Sequence, residues 1–99
     1  MNQSDLLLRL SENKQRIFDL AIAHKAFEIK VFGSVARGDN NQNSDVDFLV
    51  SFNDKANLFD LIALKQDLEN LLECPVDIAT PSSLKQSIRT RVLSEAKDL

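Results

Sequence analysis

The sequence predicts an α/β (α+β) chain: a small mixed three-stranded sheet with helices packed on it. Three observations carry that prediction. Residues 27–32 and 45–52 alternate apolar and polar at the period of a strand, and a shorter apolar run follows at 76–79. Segments with apolar residues three and four apart flank and separate them. The strand–helix–strand unit from Asp45 to Thr80 requires a right-handed crossover with parallel pairing, whereas the first two strands, joined through an 11-residue loop, can pair antiparallel.

Taken in order, Ser4 to His24 reads as one helix, or as two short ones broken near Ser11, with Ile17, Leu20, Ala21 and His24 at helical spacing. His24, at the helix end, reads as a cap or surface group. Phe27 to Phe32 is the first strand, with Phe27, Ile29 and Val31 on one face and Glu28 and Lys30 on the other. Gly33 ends it, and Ser34 to Gly38 can form a short helical turn starting at Ser34. Asp39 to Ser44 is almost entirely turn-forming.

The second strand, Asp45 to Phe52, puts Val46, Phe48, Val50 and Phe52 opposite Asp45, Asp47, Leu49 and Ser51. Asn57 caps a helix running to about Glu73, whose buried stripe is Leu61, Leu64, Leu68, Leu71 and Leu72. Cys74-Pro75 stops it. The third strand, Val76 to Ala79, directs Asp77 away from Val76 and Ile78. Pro81-Ser82-Ser83 opens a last helix with Leu84, Ile88, Val92 and Ala96 recurring every four residues.

With 99 residues there is room for one hydrophobic core, so residues 1–99 are expected to form a single domain. No apolar run approaches the ~20 residues needed to span a bilayer, and the N-terminal run is interrupted by acid and base, unlike a secretory signal. The lone Cys74 cannot form an internal disulfide and fits a small packed residue, which favours a cytoplasmic location. A net charge of −3 argues against strong nucleic-acid binding, for which a basic excess is the usual footprint.

The chemistry concentrates between Val31 and Phe52. Asp45 and Asp47, two apart on a strand, point the same way, and Asp77 at the start of the third strand faces the same side. Bare carboxylates so close repel one another, and a divalent cation resolves the conflict. Hard oxygen donors suit Mg²⁺, which takes one or two carboxylates together with substrate phosphates. A third carboxylate allows two ions about 3.5–4 Å apart. Beside them, Gly33 lets the backbone approach a phosphate, and Ser34 adds a hydroxyl at the start of a helical turn. Arg37 either neutralises phosphate charge or pairs with Asp39 or another acid of the fold. Gly33 to Gly38 begins like a phosphate-binding Walker loop, but Asp39-Asn40 stands where lysine and serine or threonine belong. Asp39, Asn41 and Asn43 begin like a calcium-binding EF-hand, yet Ser44 and Val50 occupy its glycine and glutamate positions.

Gly33-Ser34, ten intervening residues, then Asp45-x-Asp47 and a further acid, Asp77, resemble the nucleotidyltransferase superfamily of the DNA polymerase beta type. Gly33-Ser34-x-Ala36-Arg37-Gly38 followed by Ser44-Asp45-x-Asp47 is similar to its minimal members, as are the length and a closing helix from Ile88 to Leu99. The resemblance implies a polymerase beta palm-like fold and Mg²⁺-dependent transfer of AMP from ATP to a hydroxyl. Asp45, Asp47 and Asp77 would bind metal, with Asp77 helping to deprotonate the acceptor. Gly33 and Ser34, with Arg37 and Ser44 in the same motif, would hold the nucleotide. Minimal members often act as antitoxins beside HEPN-type toxins, some by attaching AMP to a tyrosine, and for this chain a homo- or hetero-oligomer is expected. A partner acceptor is consistent with the absence of tyrosine from this chain. Two other readings stand beside this one: neutralisation by stoichiometric binding, and transfer to a small-molecule hydroxyl such as an aminoglycoside's.

Overall fold

The structure, a computed structural model, describes residues 3–37 and 45–99. Its elements are α1 (Gln3–Glu12), α2 (Lys14–Ala23), β1 (Ala26–Phe32), α3 (Gly33–Arg37), β2 (Val46–Phe52), α4 (Leu58–Leu72), β3 (Val76–Ala79), a 3-10 turn (Pro81–Ser83) and α5 (Gln86–Glu95). The sheet order is β1-β2-β3, with β1 antiparallel and β3 parallel to the central β2. This is the mixed sheet that the connection lengths predict.

The alternation of β2 produces a two-faced strand. Val46, Phe48 and Val50 have no solvent exposure, and cross-strand register sets Ile29, Val31 and Val76 on the same face. Ile17 and Ala21 of α2, and Leu64, Leu68 and Leu72 of α4, close over it. The α4 leucines recur every four residues, which keeps them in one row along the helix. From α3, Val35 and Ala36 join the same core at the end of the sheet where β1 stops and β2 begins.

Helix α4 starts where Asn57 predicts. The Asn57 side chain accepts from the backbone N–H of Phe59 and Asp60, while Asp60 accepts from the Asn57 N–H at 2.9 Å. This reciprocal box satisfies donors that the first turn leaves open. Asn57→Ala is expected to destabilise the fold by about 1 kcal/mol, seen as a melting point lower by about 4–8 °C in a thermal denaturation. At the other end Glu73 takes a left-handed conformation (φ 55°), and Arg9 donates to the Leu72 carbonyl at 2.7 Å. Glu69 then accepts from the Val76 N–H at 3.1 Å, fixing where β3 begins.

Four details depart from the sequence reading. The helical break falls at Asn13, not Ser11, which lies inside α1; the Asn13 side chain donates back to the Arg9 carbonyl at 2.8 Å, in competition with helix continuation. Phe27 is not on the apolar face but 72% exposed, because the pairing register shifts between Ala26 and Glu28 and the extra residue is expelled as a bulge. The last helix does not open at Pro81: a capping box between Thr80 and Ser83 closes the 3-10 turn, and Leu84 and Lys85 are extended before α5 starts. Only Val92 of its four-residue series is buried, and Ile88 is 43% exposed. The final helix also does not reach Leu99. It stops at Glu95, after which Lys97 exchanges two backbone hydrogen bonds with Val31 (2.8 and 2.9 Å) on the outer edge of β1. No helix among the described residues is long and apolar enough to cross a membrane.

Candidate active site

The face of β2 opposite the core carries Asp47, and the register decides what stands beside it. Asp47 pairs with Phe32 on one side and with Asp77 on the other. Paired residues in a sheet project to the same face, so Asp47 and Asp77 share one. Asp45 lies two residues earlier, just before the strand, and is exposed, as is Asp77; Asp47 is half-buried. The Val46 N–H donates to the Pro75 carbonyl at 3.0 Å, tying together the two chain segments that deliver the acids.

The electrostatics reflect this grouping. Burial, and then the Asp77 and Asp45 carboxylates, hold the Asp47 carboxyl above its usual range, while the Arg37 guanidinium pulls it back down. The two carboxylates oppose its ionisation through like-charge repulsion. Asp47 is therefore strained when ionised, and a cation beside it would relieve that strain.

Gly33 explains how the turn after β1 comes so near. Its φ of +75° is one that side-chain-bearing residues avoid. A Cβ placed there would stand 3.2 Å from Asp47 Cγ and overlap Oδ2. The glycine is thus required by conformation and by space, directly against the central acid. Ser34 follows in the first turn of α3; its side chain, like the whole of Ser44 and Asp39, lies outside the described residues. Arg37 ends α3, its Nη1 3.3 Å from Glu95 Oε2. The acid-pairing alternative for Arg37 is thus realised with Glu95, which the sequence reading did not single out. No local signal marks a pair 58 residues apart.

Among the described residues no group of three or more His, Cys, Asp or Glu side chains forms a ready cation cage. The acids converge on one end of the sheet as neighbours. Such an arrangement fits Mg²⁺ arriving with a substrate, since this ion takes few carboxylates and completes its shell from phosphates and water. The donor set is also of the right kind, hard oxygens on a half-buried acid already crowded by like charge.

His24 and Cys74 lie outside this group. His24 Nε2 meets Asp67 Oδ2 at 2.7 Å, joining α2 to α4. Cys74 packs against the core, and burial pushes its thiol up, away from the reactive thiolate.

Residues 20–99 match the family model for the nucleotidyltransferase domain. The chain is 35% identical over 92 residues to a Methanocaldococcus jannaschii protein provisionally named a protein adenylyltransferase, a match spanning 93% of this chain and 99% of that one. It is 47% identical over 68 residues to the protein adenylyltransferase MntA of Thermococcus cleftensis, spanning 69% of each. Among solved structures, it is similar to one described as a provisional minimal nucleotidyltransferase, with a TM-score of 0.85 at 37% identity, covering 100% of this chain and 97% of that one. It is also similar to a chain of a toxin–antitoxin crystal structure with AMP-PNP, with a TM-score of 0.72 at 28% identity, covering 86% of this chain and 70% of that one. With the Gly33 turn and the aspartates standing together in this fold, the chain belongs to the nucleotidyltransferase domain family as an enzyme of the minimal, adenylyltransferase type.

Proposed function

We propose that this chain transfers the AMP moiety of ATP to a hydroxyl, a tyrosine, of a HEPN-type toxin in the cytoplasm, and so acts as its antitoxin. The observation that carries the reading is the position of Asp47, set on the central strand between the Gly33 turn and Asp77. Its relatives named as adenylyltransferases and the toxin–antitoxin neighbour with AMP-PNP support the reaction class and the kind of partner. An acceptor supplied by another protein also agrees with the lack of any tyrosine in this chain.

In this reading Mg²⁺ held by Asp45, Asp47 and Asp77 supplies charge neutralisation for the triphosphate and polarises the reacting oxygens when it is bound. The chain's own residues do the positioning. Gly33 leaves room for the Asp47 carboxylate to lie directly against the turn, with Ser34, Arg37 and Ser44 completing the nucleotide-binding motif. The acceptor oxygen attacks the α-phosphorus, the bond to the β-phosphate oxygen breaks, and pyrophosphate leaves. Asp77 takes the acceptor proton, since it is the exposed acid on the strand next to Asp47.

The test is label transfer. With Mg²⁺, ATP labelled at the α-phosphate and the toxin encoded beside it, the wild-type chain labels the toxin. The Asp45→Asn, Asp47→Asn double variant labels it at least about 10³-fold more slowly, given the several kcal/mol that metal stabilisation of transition-state charge contributes. Labelling that persists in the double variant removes these residues from the reaction. A double variant that does not label but still protects cells fully assigns neutralisation to binding.

A further inference from the structure

The peptide unit between Pro75 and Val76, one residue before Asp77, is held at both ends. Its carbonyl accepts from the Val46 N–H at 3.0 Å. Its N–H donates to Glu69 Oε2 at 3.1 Å. The two groups of a trans peptide point in opposite directions, so one bond ties the unit to β2 and the other faces away from that strand. The outward side matters because β3 is four residues long and last in the sheet order. Glu69 reaches it from the last turn of α4, and Lys65, one turn earlier, donates to the same oxygen at 3.0 Å. The Val76 N–H first, and then Lys65, hold the Glu69 carboxyl below its usual range. The acceptor is therefore a carboxylate near neutral pH, which makes the stronger kind of hydrogen bond. Charge at the N–H end also polarises the carbonyl of the same peptide and tightens its bond to Val46.

We propose that Glu69 is a positioning residue for Asp77: it fixes the peptide plane just before that acid and so keeps its carboxylate beside Asp47. The proposal rests on the reading of Asp77 as a cation ligand. Asp47 sits on a strand paired on both sides and is placed by the sheet itself. Asp77 is exposed, at the second residue of a strand paired on one side. Val76 beside it is anchored by a buried side chain, 1% exposed, and the two hydrogen bonds fix how the backbone turns about that anchor. Losing the outer bond frees that rotation and leaves the core as it was. The effect is then felt where Asp77 meets the cation.

Two measurements on the nucleotide-free full chain test this without turnover: amide hydrogen exchange at Val46, and Mn²⁺ binding followed by the electron paramagnetic resonance of the free ion. In Glu69→Ala the Val46 N–H is expected to exchange about tenfold faster, the weight of one hydrogen bond to a charged group. Mn²⁺ affinity is expected to fall about tenfold, as when a metal ligand loses its support. Glu69→Gln, which can still accept but carries no charge, gives smaller changes in both and provides the measurement should Glu69→Ala not fold. In an Asp77→Asn chain, adding Glu69→Ala changes Mn²⁺ affinity by no more than about twofold, because the group it positions is gone. Wild-type Mn²⁺ affinity in both Glu69 variants overturns the proposal, and so does a wild-type exchange rate at Val46. An equal loss of affinity with and without Asp77 overturns it too, marking a structural role for Glu69. Asp77→Asn with wild-type affinity removes Asp77 from the ligands and overturns the underlying reading, a result distinguishable because the Val46 exchange rate still reports the clamp.

Discussion

Gly33→Ala is expected to cut AMP transfer by about 10²-fold or more while leaving a folded protein. Two costs add. An alanine at φ +75° is strained by about 1–2 kcal/mol relative to glycine. The larger effect is steric: the new methyl group occupies the place of Asp47 Oδ2, and the central strand beneath it is paired on both sides, so the carboxylate must turn away. A displacement of about 1 Å at a reacting group is enough for a 10²-fold loss. The check is a pair of measurements on one sample. The melting point should fall by about 4–8 °C per kcal/mol of strain, while the label-transfer rate falls far more than such a loss of folded protein explains. A Gly33→Ala chain with wild-type rate would mean that Asp47 does not need its present orientation.

Asp47→Asn is expected to move activity and stability in opposite directions. Transfer should drop by at least about 10³-fold, because a carboxylate crowded by like charge is one that a cation would stabilise strongly. In metal-free buffer the same variant should melt higher than wild type. The sign follows from linkage. Burial first, then Asp77 and Asp45, raise the Asp47 pKa in the folded state above its ordinary 3.8. The folded state therefore binds the proton more tightly than the unfolded one, and stability falls as pH rises through the raised value. The favourable contribution is fully present below 3.8 and is lost above the folded pKa. Asparagine removes that dependence along with the repulsion. Thermal melts from pH 3 to pH 7 in a chelator should show a wild-type melting point that declines relative to Asp47→Asn across this window. Parallel curves would mean that the crowding of the three acids has no energetic weight.

Both expectations draw on a site whose parts differ in how openly the sequence displays them. The central strand is plain to read, since Val46, Phe48 and Val50 alternate with Asp47, Leu49 and Ser51 and nothing interrupts them. Asn57 and the leucines of α4 are equally legible because capping and helical spacing are local rules. Phe27 misleads for the same reason: alternation counts residues, and a bulge adds one that only the partner strand reveals. The end of the chain is harder still. Leu84, Ile88, Val92 and Ala96 imitate a continuous helix, but the Thr80–Ser83 box and the Lys97–Val31 bridge are settled by contacts that no periodicity records. Glu95 belongs to this class as well. It pairs with an arginine 58 residues away, and in the sequence it is one acid among 15.

The placement of Asp47 on a middle strand, one residue before Phe48, has a consequence for how such a protein can vary. Sliding β2 by a single position would exchange the two, turning a charge inward among apolar side chains and an aromatic ring outward onto the face that carries Asp77. Fold and catalysis would fail together, so no variant can keep one by sacrificing the other through this route. Insertions and deletions in this molecule should accordingly gather in its connecting loops and spare the seven residues of that strand.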